Sequence, residues 1–512
     1  MANSDRLTGL DSSFLHLERD SAHMHVGSVM IFDPPAPSHG ELMDHIEGRL
    51  HLVPRYRQRL AFVPYEQGRP VWVDDPHLNI AYHVRHTALP RPRNEAQLKR
   101  LAGRLFSQRL DRTKPLWEMW LVQGLGDGRF ALVAKTHHAL VDGVSGVDIT
   151  TVLFDSSPEP APMPEPEPWI PRPLPNRTRL LADALLERAV VPSEAVRGVR
   201  ALLRGPRQVV GRTIEGAAAV GALARAGRGA PSSPLNVSIG PHRRFTWVEA
   251  DLSTFKAIKD RLEGTVNDVV LTAVTLALRR FLRRRGEATE GLQLKAMVPV
   301  SVRADTERGA LGNRVATMYA PLPVGIEDPV ECFEYVHDAM GDLKSSGQAV
   351  GAEVLTNLAG FAPPTIMSQA ARLSTRQRFF NVVVTNVPGP QFPLYLMGRR
   401  MQAIYPQVPL APRQALGIAI MSYDGGLFFG LIADFDAMPD VEETAGDLAA
   451  SIEELAFAAG VEAPARRTAM GGGPPLGFEM PKTRARPAAS RAASGSRRSR
   501  RASRASRAGQ AP

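Results

Sequence analysis

The run Lys135-Thr136-His137-His138-Ala139-Leu140-Val141-Asp142-Gly143 places two adjacent histidines, then an acid and a glycine, at the end of a strongly apolar segment. Transfer of an acyl group from a thioester to an alcohol asks a protein for a base that takes the hydroxyl proton and for donors that hold the oxyanion. Histidine suits the first task because its ordinary pKa lies near neutrality. With 13 His and 43 Gly in 512 residues, a bare HxxxDG arises by chance in roughly one such chain in twenty, and HHxxxDG in roughly one in a thousand. Side chains alternate along a strand, so at its end the two histidines face opposite ways and only one of them is the base. Asp142 is placed either to bond an imidazole or to hold the loop through an arginine, and Gly143 lets the chain turn tightly behind it.

Two rival chemistries fit less well. Adjacent histidines that face apart make poor co-ligands and no cysteine lies near them, so no metal site is expected. Ser145 follows the motif without a Gly-x-Ser-x-Gly elbow around it, which argues against a serine nucleophile.

The elements that must position these residues read as mixed α/β. Phe130-Ala131-Leu132-Val133-Ala134 is a continuous apolar run of the kind found in buried strands, and it feeds the histidines. His25 to Phe32, Val71 to Val73 and Ile80 to Val84 read as strands, Glu41 to Leu50 as a helix, and Val147 to Phe154 as another. Nine prolines between Pro158 and Pro175 predict an extended, semi-rigid spacer. An Arg-rich segment with Leu180, Leu181, Ala184, Leu185 and Ala189 at helical intervals follows from Arg177 to Arg228. It fits an ordinary amphipathic connection with a solvated basic face, or contact with a membrane or lipid-droplet surface. Further on, Phe245 to Ala250, Leu294 to Val302, Asn381 to Val387, Ala415 to Tyr423 and Leu427 to Asp434 read as strands. Ser253, Asn267 and Val441 open helices.

Composition bounds the rest. At about 150 residues per domain, 512 residues suggest two or three domains; 44% hydrophobic and 22% charged residues are ordinary for a globular protein. The net charge of +10 comes from residues 481–512, which hold ten Lys or Arg and no acid, so the body is neutral and nucleic acid is not an expected partner. That Gly-, Pro-, Ala-, Ser- and Arg-rich end is expected to be disordered from about residue 463. Cys332 is the sole cysteine, so no intrachain disulfide is possible. The polar start and the absence of about 18 uninterrupted apolar residues predict a cytoplasmic protein that does not span a membrane.

The motif and its company resemble the bacterial wax ester synthase/acyl-CoA:diacylglycerol acyltransferase family, within the superfamily that includes chloramphenicol acetyltransferase and peptide-synthetase condensation domains. Leu10-Asp11-Ser12-Ser13-Phe14-Leu15 followed by His25-Val26-Gly27 resembles the family's opening, Pro115-Leu116-Trp117 its PLW element and Asn267-Asp268 its ND element. Pro299-Val300-Ser301-Val302-Arg303 with Leu311-Gly312-Asn313, and Asn386-Val387-Pro388-Gly389-Pro390, resemble its second-lobe segments, in the family's order.

The resemblance implies a two-lobed chloramphenicol-acetyltransferase-like α/β sandwich with the active-site tunnel between the lobes. It suggests an N-terminal lobe at 1–155, a crossover linker at 156–240 and a C-terminal lobe at 241–462; the basic tail at 463–512 lies outside the family pattern. It makes His138 the general base and His137 a supporting residue. Asp142 becomes a loop anchor, with Arg57 as candidate partner, beside Gly143. Asn267 would orient the acceptor or the oxyanion, and Asp268 would fix the start of its helix. Pro115-Leu116-Trp117 is expected to pack, and Arg303 and Asn313 to serve inter-lobe structure.

The implied reaction esterifies diacylglycerol with acyl-CoA as co-substrate, with no bound cofactor; long-chain alcohols are the alternative acceptors. The implied location is peripheral to the inner face of the membrane or to lipid bodies. Two rival readings keep the chain in view: a carrier-protein-dependent acyltransferase, and a non-catalytic lipid-droplet-binding protein.

Overall fold

Every position of the segment Phe130–His137 is buried, as an apolar run without polar alternation requires of a strand flanked on both edges and covered on both faces. The computed structural model describes residues 6–140, 153–159, 168–186, 229–301, 315–345 and 379–462. The first part contains, in order, α1 (Gly9–Leu17), β1 (His25–Phe32), α2 (His39–Arg49), β2 (Gln58–Ala61), β3 (Val71–Asp74), α3 (Ile80–His83), β4 (Val84–Ala88), α4 (Glu95–Phe106), β5 (Trp117–Gln123) and β6 (Phe130–His137). Strands of the second part are β7 (Arg243–Asp251), β8 (Leu294–Ser301), β9 (Val315–Leu322), β10 (Val382–Pro388), β11 (Tyr395–Leu396), β12 (Arg399–Gln407), β13 (Leu416–Tyr423) and β14 (Gly426–Asp434). Its helices are Leu252–Arg261, Val266–Arg284, Pro329–Ser345 and Val441–Ala458.

Two six-stranded sheets result, ordered β11-β12-β1-β6-β5-β4 and β7-β14-β13-β10-β8-β9, with β2 and β3 pairing as a separate hairpin. The later part of the chain donates to the first sheet: β12 lies late in the chain, yet it pairs antiparallel with β1, Gly27 opposite Gln407 and Met30 opposite Ile404. The first sheet is thus completed by residues from within 241–462.

Side-chain alternation then divides the second sheet between two cores. Along β14, Leu427, Phe429, Leu431 and Ala433 belong to the core shared with the four helices. Phe428 and Ile432 join the core of the first lobe. Gly430, between them, faces the carbonyl of Pro406 on β12 so closely that a Cβ would collide with it. A second close approach is at Gly27, where a Cβ would stand 2.5 Å from the Ala134 carbonyl and 2.8 Å from the Phe106 ring.

One expected element takes another form. Ile80 to Val84 divides into α3 and β4, because Asn79 caps a single helical turn by accepting from the Ala81 N–H at 3.1 Å. Most of the expected helix Val147 to Phe154 lies outside the described residues. So do Arg303, the Leu311-Gly312-Asn313 segment and the basic tail. Of the Arg-rich stretch after Arg177, residues 177–186 are described and helical.

Candidate active site

The motif lies where three strands and the N-terminal helix meet. Its first residue, Lys135, is buried and donates from Nζ to the Gln108 and Leu105 carbonyls at 2.8 and 3.2 Å, just beyond and within the end of α4. A cation at this end complements the helix dipole, and Glu118 3.4 Å away supplies the counter-charge.

His137 ends β6 opposite His25 of β1. Its N–H donates to the Leu116 carbonyl at 2.9 Å, so Leu116 of the Pro115-Leu116-Trp117 element supports the backbone of the motif. The next element of that support is Trp117, which starts β5, is buried, and donates from Nε1 to the Tyr56 carbonyl at 2.9 Å. The ring of His137 is fully buried, and its Nδ1 accepts from the Ala139 N–H at 3.0 Å.

Nε2 faces Oε2 of Glu18 at 3.8 Å, a distance for charge interaction and too long for a hydrogen bond. Glu18 is buried with 1% of its side chain exposed, and Arg112 binds its Oε2 through Nε at 2.7 Å. Arg109 lies 3.5 Å from the same oxygen. Burial alone would raise the Glu18 carboxyl, but His137 and Arg112 outweigh it and hold it well below the usual carboxylate range.

His138 leaves the strand. Its N–H donates to the Met24 carbonyl at 2.8 Å, and the chain turns as the Leu140 N–H returns to the His137 carbonyl at 2.9 Å. The His138 ring is half-buried and stacks on Phe14, with centroids 4.0 Å apart and planes 24° from parallel. Burial pushes its pKa down to about 4; the neighbouring His137 adds to the shift, and the residue's own backbone opposes it. At neutral pH His138 is therefore an uncharged imidazole able to accept a proton. Among the described residues its buried Nδ1 has no hydrogen-bond partner.

α1 delivers both partners of the histidine pair. Thr8 caps its start by accepting from the Asp11 N–H, and the helix ends at Glu18, whose N–H returns to the Phe14 carbonyl at 3.1 Å. One turn of helix thereby brings Phe14 to His138 and Glu18 to His137. In the sequence Phe14 stands within the opening motif with no role assigned to it, and nothing points to Glu18. The spacing offers no signal for Glu18, because the helix and the strand end are joined only by the fold.

The remaining expected residues are placed as follows. Asp142 and Gly143 lie outside the described residues. Arg57 stacks its guanidinium over Trp169, 5.2 Å from the ring centroid. Between Leu140 and Leu153 lies the stretch that holds Asp142. Past it, Leu153 accepts from His45 Nε2 at 3.0 Å, and Asp155 pairs with Arg49 at 2.9 Å.

Asn267 is half-buried in the first turn of the helix Val266–Arg284. Asp268 closes a capping box with Thr265, accepting the Thr265 N–H at 2.9 Å, and the same oxygen bonds His337 Nδ1 at 2.9 Å. Among the described residues no cluster of His, Cys, Asp and Glu could hold a metal ion. No helix among them is long and apolar enough to cross a membrane.

Comparison with known proteins decides the family. Residues 7–270 match the wax ester synthase/diacylglycerol acyltransferase catalytic domain, and residues 311–456 match the C-terminal domain of the same enzymes. The chain belongs to the wax ester synthase/diacylglycerol acyltransferase family.

A Mycobacterium tuberculosis relative in this family, named a probable diacylglycerol O-acyltransferase, tgs1, is 34% identical over 88% of this chain and 94% of its own. Another from that species, tgs2, of the same description, is 34% identical over 88% and 98%. Among solved structures, the wax ester synthase/diacylglycerol acyltransferase of Marinobacter aquaeolei VT8 is similar at a TM-score of 0.64 and 29% identity, covering 89% of this chain and all of that one, 100%. The starter condensation domain of rhizomide synthetase RzmA, solved with C8-CoA and Leu-SNAC, shares the fold at a TM-score of 0.52 and 13% identity, over 89% and 94% of the two chains. The two-lobed acyltransferase architecture expected from the motifs is the architecture of this family.

Proposed function

We propose that this acyltransferase moves a long-chain acyl group from acyl-CoA to the free hydroxyl of diacylglycerol, giving triacylglycerol and CoA, with His138 as the general base. The carrying observation is the neutral His138 imidazole, fixed by Phe14 at the turn that ends β6. His138 takes the hydroxyl proton as the acceptor oxygen attacks the thioester carbonyl. The tetrahedral intermediate then collapses, the carbon–sulfur bond breaks, and the proton returns to the departing CoA sulfur. No bound cofactor is required by this balance; acyl-CoA is a co-substrate.

The other residues take subordinate roles. His137, locked by Ala139 and facing Glu18, supports the turn and does not share the proton. Asp142 anchors the loop and Gly143 permits its bend. Asn267 orients the acceptor or the oxyanion across a tunnel between the lobes, and Asp268 holds the start of its helix. A fatty alcohol presents the same nucleophilic hydroxyl, so long-chain alcohols are second acceptors that would yield wax esters. The protein works at the periphery of a membrane or lipid body, where its acceptor resides.

Release of CoA thiol from palmitoyl-CoA, with diolein and hexadecanol competing in one assay, tests this reading. Triacylglycerol as main product supports it, and wax ester as main product changes the acceptor. No CoA release with lipid still bound would leave a lipid-coating protein instead.

A further inference from the structure

Large apolar side chains are unevenly exposed on this chain. Tyr65 is 84% exposed and Phe62 51%, both in the connection between β2 and β3. Ile170 is 83% exposed, and Leu185 and Leu186 are 50% and 64% exposed. These two segments, far apart in sequence, form one neighbourhood. A Cβ on Gly68 would stand 2.8 Å from Ala184 Cβ and 3.4 Å from Val63. The Arg172 N–H donates to Asp74 on β3 at 2.9 Å, and Trp169 lies under the Arg57 guanidinium.

Two features set this face apart from incidental exposure. The helical stretch 177–186 buries Leu180 and Ala184 against the body, yet turns Leu185 and Leu186 outward. A surface helix apolar on two faces has one face still to cover. Tyr65, moreover, is held at φ 58°, ψ 22°, left-handed backbone that costs a non-glycine residue about 1 kcal/mol or more, at the tip of its loop.

The charge around these side chains selects their partner. Residues 55–72 hold four Arg against Glu66, and residues 168–186 hold three Arg against Asp183. Arg59 and Arg172 are drawn to Asp75 and Asp74 beneath, but the excess remains basic. Apolar tips rimmed by arginine fit a surface that is oily inside and anionic outside.

We propose that the β2–β3 loop and the 168–186 segment form the face by which this protein docks on an anionic phospholipid bilayer, with Phe62, Tyr65, Leu185 and Leu186 entering the interface. This rests on the reading that the acceptor is a membrane lipid, and it names the surface that meets that membrane.

Flotation of the full chain with vesicles of equimolar phosphatidylcholine and phosphatidylglycerol tests it, using the double variants Phe62→Ser/Tyr65→Ser and Leu185→Ser/Leu186→Ser. Each pair removes side chains whose burial is worth about tenfold or more in partition, so each is expected to weaken vesicle binding by at least about tenfold. Turnover of a detergent-dispersed short-chain diacylglycerol should stay at the wild-type rate, which shows that the variants fold. Wild-type partition by both variants would overturn the proposal. So would loss of binding only on deleting residues 481–512, or failure of the full chain to bind vesicles at all. Absent turnover with intact, face-dependent vesicle binding would instead fault the acyltransfer reading alone.

Discussion

The ring of Phe14 covers that of His138, with centroids 4.0 Å apart. The contact does two things: it fixes the ring that would take the proton, and it shields that ring from the water that would stabilise its charged form. Phe14→Ala should therefore return the His138 pKa from about 4 toward its ordinary range near 6.5. The acid limb of kcat/KM would move up in pH by the same amount. Loss of the stacked pair should also cost about 0.5–1.5 kcal/mol beyond the lost apolar burial. A pH–rate profile of the variant checks this; an unmoved acid limb would show that Phe14 only packs.

Stability should fall with acid in a direction set by the same residue. The folded pKa of His138 lies at about 4, below its ordinary value of 6.5, so the unfolded chain binds more protons between these values. Its contribution is constant above about pH 6.5 and is lost as pH falls toward 4. Glu18, held low in the fold, adds a loss that begins as pH falls into the usual carboxylate range, where the unfolded carboxyl takes up its proton, and continues below it. Denaturant titrations between pH 7 and pH 4 should show a shallower decline for His138→Gln than for wild type.

Breaking the Glu18 pair should be worse than removing it. Arg112→Ala leaves a carboxylate that is 1% exposed with Arg109 at 3.5 Å and His137 at 3.8 Å still facing it, an under-compensated burial that should cost about 3 kcal/mol. Adding Glu18→Gln to that variant should recover part of the loss, because the buried group no longer carries charge. Glu18→Gln alone should lower kcat more than it changes KM, by releasing His137. Chemical denaturation and steady-state kinetics of the three variants check the order.

Gly430→Ala should separate the lobes' packing. A Cβ there would collide with the Pro406 carbonyl, where β14 of one sheet lies on β12 of the other. Overpacking of this kind costs about 1–3 kcal/mol, and backbone cannot swing aside as a side chain can. Thermal melting should show the loss, with activity falling in step as the two sheets shift.

How much of this was legible in the sequence depended on whether a signal was local. β6 and β14 could be read because strands buried on both faces have uninterrupted apolar runs. β12 could not: Arg399-Arg400-Met401-Gln402 at its start and Pro406 near its end interrupt any apolar run, and it becomes a strand through pairing with β1. α3 misread as strand because the cap from Asn79 outweighed the β-leaning residues that follow. At the site, the histidine pair and its strand were visible as pattern. The Glu18–His137 approach was not, since it joins a helix end and a strand end that only tertiary packing brings near.

The central claim is that His138 moves the proton. Turnover of palmitoyl-CoA with diolein by purified His138→Ala, folded as judged by an unchanged circular dichroism spectrum, tests it directly. General-base catalysis contributes about 10² to 10⁴ in rate, so a loss of that size in kcat with little change in KM is expected. A kcat within about tenfold of wild type, below the range a general base supplies, would contradict the account.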